Sequence, residues 1–307
     1  MSKELPEVSI DMNNISVCTI YAKRKLHLQN LVKGLILSSV YPDELVIICM
    51  NDRLPDLPQT PFKIATANIN TDRGTLPVAA ARNKAAAVAR GNKLIFLDVD
   101  CISDRNLVNN FNYHLEREDA LYSGSVRYLN QDWHSHDQRS QQAPSFYGGV
   151  ICDWTFASLK QQSAFHRLQG TAPEEKEKRP HPYELFWSLN FGIRKQTFEN
   201  LGGFDERYDG YAGEDTDLAF TARSHHLPHY KIAALAYHQF HDSHTPPLNH
   251  LADIVCNARV FYDKWQILPM DKWLKQFADL GYIELRDNEV TIIKYPTKTE
   301  IEACRNI

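Results

Sequence analysis

The sequence predicts an α/β protein with a mostly parallel, Rossmann-like central sheet flanked by helices. Two observations predict this fold class. Continuous apolar runs, such as residues 45–50 and 94–97, indicate strands that are buried on both faces, as in a parallel sheet. Segments with apolar residues at helical spacing lie between these runs, and strands that alternate with helices are typical of crossover units.

The first part of the chain supplies the regular alternation. We predict strands over residues 15–21, 45–50, 62–66 and 94–97. A helix near 26–39 has apolar side chains at positions 28, 31, 32, 35 and 36. A second, alanine-rich helix over 76–90 is predicted to end with Gly91 as its C-cap.

The second part is less regular. Residues 130–183 are polar, and their charge run at 174–179 is typical of a solvated face. From residue 184 order returns, with a helix expected to begin at Glu214 and Asp215 and a strand over 233–241. Helices through about 265 and over 271–280, and a strand over 290–295, complete the chain. Five histidines of this region are expected on the surface or in loops: His225, His226, His229, His244 and His250.

Composition excludes several classes of protein. The net charge of -4 gives no broad basic field, which argues against nucleic-acid binding. No apolar run reaches membrane-spanning length, and the N-terminus carries no signal-peptide core. The six cysteines are scattered without a Cys-x-x-Cys pair. We therefore expect a cytoplasmic protein without structural zinc or disulfides, with peripheral association at an inner membrane face left open.

Polar residues cluster where the predicted strands end. Asp98 and Asp100 follow a buried strand, and side chains two apart on a strand point to the same side. Paired carboxylates suit a divalent cation or a group of ligand hydroxyls, although Asp-x-Asp is also common in ordinary acidic turns. Ligands of parallel sheets bind beyond the carboxyl ends of the strands, where Tyr21, Asn51 and Asp52 also fall. This shared position favours a binding site.

Two further groups carry candidate chemistry. Glu214 and Asp215 are predicted at a helix N-terminus, where the helix dipole favours ionised carboxylates, with helix capping as the alternative. His238 and His241 end a predicted strand and are candidate metal ligands.

Several motifs together resemble family 2 inverting glycosyltransferases with the GT-A fold. These are Ala81-Arg-Asn-Lys with the 94–100 strand, Asn190-Phe-Gly-Ile-Arg-Lys with Leu201-Gly-Gly-Phe-Asp-Glu, and Tyr211-Ala-Gly-Glu-Asp-Thr-Asp-Leu. The resemblance covers residues 15–265 in outline. It is closest to bacterial chondroitin polymerase domains and more remote to the β-1,4-galactosyltransferases and polypeptide N-acetylgalactosaminyltransferases. The Ala212 position, where the family has glycine more often, is a departure.

The resemblance implies a role for each candidate. Asp100 would bind Mn²⁺ or Mg²⁺, with His238 as the late histidine ligand, His241 as its rival, and Asp98 on the ribose or a metal-bound water. Asp215 would be the catalytic base and Glu214 a partner of acceptor hydroxyls. The implied donor-binding residues are Thr19, Tyr21, Arg24, Asn51, Asp52, Arg82 and Asp98, and the implied acceptor-binding residues are Trp187, Asn190, Tyr211 and Glu214.

The implied domains are a lead-in (1–14), a GT-A domain (15–245) and a C-terminal helical extension (246–307). Residues 15–125 would bind the nucleotide-sugar, and residues 126–245 would supply the acceptor and catalytic half. The implied activity is metal-dependent transfer of a sugar, with inversion, from a UDP-sugar to a glycan or glycoconjugate hydroxyl in polysaccharide or cell-envelope synthesis.

Two alternatives remain open. A nucleotidyltransferase should carry a glycine-rich loop after the first strand, yet residues 19–25 contain no glycine. A non-catalytic nucleotide-sugar-binding component of a glycan assembly complex would lack the base, yet Glu214 and Asp215 are both present.

Overall fold

The computed structural model describes residues 14–72, 74–133, 145–147 and 150–306, with the backbone alone for Ser145–Tyr147 and Val150–Cys152. The predicted lead-in (except Asn14) and the polar stretch 134–144 lie outside these residues. The strands are β1 (Ile15–Tyr21), β2 (Glu44–Met50), β3 (Lys63–Ile69), β4 (Lys93–Leu97), β5 (Cys101–Ser103), β6 (Leu121–Leu129), β7 (Ser145–Tyr147), β8 (Val150–Cys152), β9 (Ser163–Phe165), β10 (Lys178–Pro180), β11 (Asn190–Arg194), β12 (His229–His238), β13 (Ser243–His244), β14 (Ile283–Arg286), β15 (Glu289–Ile292) and β16 (Arg305–Asn306).

The helices are α1 (Lys25–Ile36), α2 (Val78–Val88), α3 (Leu107–Arg117), α4 (Phe156–Gln161), α5 (Lys195–Asn200), α6 (Glu214–Ser224), α7 (Leu251–Trp265), α8 (Asp271–Asp279) and α9 (Lys298–Ala303). Short 3₁₀ turns cover Tyr183–Leu185 and Leu248–His250. None of the helices in the described part of the chain is both long and apolar enough to cross a lipid bilayer.

The central sheet has the strand order β10-β12-β6-β11-β4-β1-β2-β3. Strands β1, β2, β3, β4, β6 and β12 run in one direction, whereas β10 and β11 run opposite to their neighbours. The predicted α/β class with a mostly parallel sheet is therefore confirmed. The carboxyl ends of β1, β2, β4, β6 and β12 consequently meet at one edge, and antiparallel β11 contributes its N-terminal end to that edge.

Helices cover both faces of this sheet. Apolar side chains of α1 and α3 pack on one face, and those of α2 and α6 pack on the other. Strands β1 and β2 are buried along their whole length because both faces are covered. The C-terminal segment from Leu248 has its own apolar cluster, formed by α7, α8 and the hairpin β14–β15. The first strand of that hairpin was not predicted.

Three local predictions were wrong. Helix α2 ends at Val88, and Gly91 does not adopt the left-handed conformation of a C-cap. A Cβ at Gly91 would lie 2.7 Å from the backbone nitrogen of Ser16, so a close approach of β1 requires the glycine. His229 was expected on the surface, but it begins β12, is buried, and places Nε2 2.8 Å from Ser123 Oγ. The strand spans 229–238 instead of 233–241 because it pairs with β6 from His229 onward.

Candidate functional site

The two aspartates lie on a tight turn at the carboxyl end of β4. The strand ends at Leu97, and the backbone N–H of Cys101 donates to the carbonyl of Asp98 at 2.8 Å. Asp98 Oδ1 accepts a hydrogen bond from the backbone N–H of Asp100 at 3.2 Å. The prediction that alternation along a strand aligns the two carboxylates is therefore wrong, because Asp98 and Asp100 both follow the end of β4. The turn instead brings both to the sheet edge.

Asp100 is buried among basic groups from α1 and from the segment after β12. Its Oδ1 lies 2.5 Å from His27 Nδ1, its Oδ2 lies 3.5 Å from His241 Nε2, and Arg24 forms an ion pair with Oδ2. The carboxylate is only 5% exposed, so such partners offset the cost of burying its charge. The backbone N–H of Gln239 also donates to the carbonyl of Asp100 at 2.7 Å.

One side-chain group has the donors for a metal ion. Strand β5 pairs with β12 so that Cys101 lies opposite His238, which brings the preceding Asp100 to the end of β12. Asp100, His238 and His241 each offer a ligand atom within 4.8 Å of the others. Burial lowers the pKa of His238 to about 4 and also lowers that of His241. Both imidazoles are therefore neutral at pH 7, as metal ligation requires, and the mixed oxygen and nitrogen set fits Mn²⁺.

The second acidic group lies at the N-terminus of α6, as predicted for Glu214 and Asp215. Glu214 is buried and its Oε1 accepts from Arg82 at 2.8 Å. Burial and the nearby charge of Glu214 raise the pKa of Asp215 to about 7, against the hydrogen bonds that it accepts from the N–H groups of Thr216 and Ser188. Arg82 therefore neutralises Glu214 directly and leaves Asp215 as the carboxylate that titrates near neutral pH.

The two acidic groups are joined by the residues that precede β11. The N–H of Ser188 donates to the carboxylate of Asp215, and the carbonyl of the next residue, Leu189, accepts from the N–H of Asp98 at 2.8 Å. Burial raises the pKa of Tyr211, and the charges of Asp215, Glu214 and Asp98 raise it further. The β4 turn and the N-terminus of α6 are thus held next to each other at the sheet edge.

The residues predicted to bind the donor differ in what their side chains contact. Tyr21 donates its hydroxyl to Asp52, whose carboxylate also accepts from the backbone N–H of Lys23 at 2.7 Å, and this joins the ends of β1 and β2. The Thr19 hydroxyl is buried without a hydrogen-bond partner among the described residues, and it lines a small cavity with Asp98. Asn51, in contrast, turns away and accepts from the backbone N–H of Thr71.

The predicted acceptor residues also differ in position. Ring contacts run from Trp187 to His166 (4.9 Å), then to Tyr128 (5.8 Å) and then to His238 (4.9 Å), so Trp187 lies on the same side as the metal-ligand candidates. The side chain of Tyr211 is 42% exposed and stacks on His250 at 4.3 Å.

Asn190 lies inside the sheet. Its side chain is 1% exposed, and its amide donates to the carbonyl oxygen of Ala234 at 2.8 Å and to that of Ser125 at 3.3 Å. It therefore joins β11 to β6 and, beyond β6, to β12 from within the core. The next residue, Phe191, is fully buried and stacks on Phe96.

Sequence reasoning missed two residues of the site. His27 contacts Asp100, and Gln239 is fully buried, accepts from Asn30 and donates to the carbonyl of His27 at 3.1 Å. The spacing of Arg24 and His27 was an available signal, since residues three apart at a helix start lie on one face. Gln239 had no such signal, because the partners of its side chain are more than 200 positions away.

Comparisons with known proteins show what this chain is similar to. A stretch of 47 residues is 38% identical to validoxylamine A glucosyltransferase from Streptomyces hygroscopicus subsp. jinggangensis (strain 5008), covering 15% of this chain and 11% of that protein. The same protein from subsp. limoneus matches equally, over 10% of its length. The chain therefore spans about a tenth of these curated relatives.

A solved structure, GalNAc-T7 with UDP, GalNAc and Mn²⁺, superimposes with a TM-score of 0.48 and 14% identity over 74% of this chain and 44% of that one. Residues 170–241 match the profile of the N-terminal domain of galactosyltransferase, and residues 16–201 match that of Glycosyl transferase family 2. The two profile matches confirm the resemblance to family 2 glycosyltransferases that the motifs indicated. Since the second match spans more than half of the 307 residues, the chain belongs to glycosyl transferase family 2.

Proposed function

We propose that this protein transfers a sugar from a nucleotide-sugar, expected to be UDP-linked, to a hydroxyl of a glycan or glycoconjugate, with a divalent cation and with inversion. One observation carries the proposal: the β4 turn and the N-terminus of α6 are joined through Ser188 and Leu189. A group bound at Asp100 and a hydroxyl at Asp215 would then share one cleft. Membership of the family supports sugar transfer as the reaction class.

Donor binding is assigned to residues 15–125. Thr19 offers a buried hydroxyl with unmet hydrogen-bonding capacity, and Tyr21 with Asp52 forms a polar wall at the neighbouring strand ends. Asp100, with His238 and His241, would hold Mn²⁺ or Mg²⁺. A cation there supplies Lewis-acid stabilisation of the charge that forms on a leaving diphosphate. Arg24, beside Asp100, adds positive charge for the same anion.

Proton removal from the acceptor is assigned to Asp215. A hydroxyl is a poor nucleophile until a base takes its proton as the new bond forms to the anomeric carbon, while the bond from that carbon to the phosphate oxygen breaks. A carboxylate with a pKa of about 7 is a stronger base than an ordinary aspartate and is still half ionised at neutral pH. Attack opposite the leaving group inverts the anomeric centre.

The acceptor is assigned to the half formed by residues 126–245, with the 246–307 extension beside it. Trp187 and the exposed ring of Tyr211 offer apolar faces on which a sugar ring can stack. Glu214 is held by Arg82, so it contributes to acceptor binding through the oxygen that this ion pair leaves available. Polysaccharide or cell-envelope glycan synthesis is the process in which we place the reaction.

The test is a panel of UDP-sugars assayed for donor hydrolysis and for transfer, each with Mn²⁺ and with chelator. We expect Mn²⁺-dependent release of UDP from one donor, lost in Asp100→Asn and reduced about 10²–10⁴-fold in Asp215→Asn. Asp279→Asn, which changes an exposed carboxylate at the end of α8, is the matched control and should retain full activity. Nucleotide binding without turnover in wild type and in Asp215→Asn alike would instead indicate the non-catalytic component.

A further inference from the structure

Helix α7, in the C-terminal segment, contacts the turn that leads into the acidic pair. The side chain of Asn257 is 2% exposed, and its amide nitrogen lies 3.0 Å from the carbonyl of Asp209, 3.1 Å from that of Tyr211 and 2.8 Å from that of Ala212. Its Oδ1 accepts from the backbone N–H of Asp209 at 3.3 Å. One buried side chain, with two N–H donors shared among three carbonyl oxygens and one acceptor oxygen, therefore contacts four backbone groups within the 209–212 turn.

This turn has a conformation that needs support. Ala212 has φ of 73°, a left-handed value that costs a non-glycine residue free energy, and Gly213 follows with φ of 100°. A Cβ at Gly213 would lie 3.1 Å from the Tyr208 ring and 3.4 Å from the Cβ of Asn257. The turn is therefore packed directly on α7. Gly213 immediately precedes Glu214, so any rotation of the turn moves the N-terminus of α6.

The body of α6 is held separately. Asp217, on its first turn, accepts from Lys264 at 2.8 Å and from the Trp265 indole N–H at 2.7 Å, both at the C-terminal end of α7. Phe220 packs on Phe261 of the same helix. Loss of the Asn257 amide would therefore release the turn while leaving α6 attached, so the two contributions can be separated by mutation.

We propose that Asn257 is a positioning residue, which holds the 209–213 turn so that Asp215 faces the cleft in the orientation that proton removal needs. The proposal rests on the proposed function, since it assigns Asp215 the role of base. Asn257 touches neither the base nor any reacting atom and acts through the backbone of the turn. It also makes the C-terminal segment a part of the catalytic unit.

The decisive variant is Asn257→Asp, which keeps the volume and the acceptor oxygen but removes the N–H donors. Its carboxylate would face three carbonyl oxygens, so Asn257→Ser is the second variant if Asn257→Asp does not fold. Val255→Ala is the matched control, because Val255 is buried on the same helix in the C-terminal apolar cluster. Two readouts are compared: kcat and KM for the donor, and hydrogen exchange of the 209–216 amides.

We expect Asn257→Asp to lower kcat about 10²-fold with the donor KM within twofold, as misplacement of a catalytic group does, and to speed exchange across 209–216. Val255→Ala should lose thermal stability without either effect. Equal losses of kcat in the two variants, or unchanged exchange in the turn, would overturn the positioning role while the wild type remains active. A wild type that turns over no donor would instead remove the proposed function, and this inference with it.

Discussion

Replacing Asp215 by asparagine should make the protein more stable at alkaline pH and much less active. The pKa of Asp215 is raised from 3.8 to about 7, mainly because the carboxyl group is buried and secondly because Glu214 is nearby. Well below pH 3.8 the group is protonated in both the folded and the unfolded chain, so it does not affect the pH dependence of the free energy of unfolding. Between pH 3.8 and about 7 the unfolded chain ionises Asp215 while the folded chain keeps its proton, so the free energy of unfolding falls over this window and becomes level above it.

The size of the effect follows from the shift. Each pH unit over which only the unfolded chain is ionised lowers the free energy of unfolding by about 1.4 kcal/mol. Between pH 4.5 and pH 8 this holds for about 2.5 units, since the folded chain ionises near pH 7, and the change is about 3.4 kcal/mol. Because Asp215 as a residue keeps some exposure to solvent, which screens its charge, we halve this figure to about 2 kcal/mol. The amide that Asp215→Asn introduces cannot ionise, and its oxygen can still accept from the backbone N–H of Thr216.

Urea unfolding of wild type and Asp215→Asn at pH 4.5 and pH 8, with chelator present, measures this difference. We expect nearly equal stabilities at pH 4.5 and an advantage of about 2 kcal/mol for the variant at pH 8. Asp279→Asn should show no such dependence on pH, because its carboxylate is exposed. A stability difference that is the same at both pH values would refute the assignment of a raised pKa to Asp215.

Three further outcomes are expected. Activity of the wild type should rise with pH through about 7, since the base must be ionised, and a pH–rate profile that is flat between pH 6 and 8 would contradict this. Mn²⁺ should raise the melting temperature of the wild type. His238→Ala and His241→Ala should each reduce that rise, and Asp100→Asn should abolish it. A rise that persists in all three variants would exclude this metal site. Arg82→Met should destabilise the protein by about 3–5 kcal/mol in denaturant unfolding, because it leaves the charge of Glu214 buried without its partner. Adding Glu214→Gln to that variant should recover part of the lost stability. Additive effects of the two changes would argue against the ion pair.

Local patterns were enough to predict much of the scaffold. The apolar runs at 45–50 and 94–97 form β2 and β4, and the acidic pair begins α6, because a strand that is covered on both faces and a helix N-terminus each leave a signal within a few residues. The same local reasoning failed at Gly91. There the glycine is required by the approach of β1, about 75 positions earlier, and no pattern around residue 91 carries that information.

The candidate site could likewise be predicted only in part. Residue type and position at strand ends pointed to Asp98, Asp100 and the histidines at and after the end of β12. Only the tertiary structure decided their partners: His27 and Arg24 on Asp100, Arg82 on Glu214, and Asn190 turned into the sheet.

By itself, the sequence determined the α/β class, the parallel strands and the chemistry available at their carboxyl ends, since these depend on residue type and short-range periodicity. The tertiary structure decided that β11 lies antiparallel between β4 and β6, and that α7 supports the turn before Glu214. These features join residues tens to hundreds of positions apart. Their energies depend on distances and burial that exist only once the chain has folded.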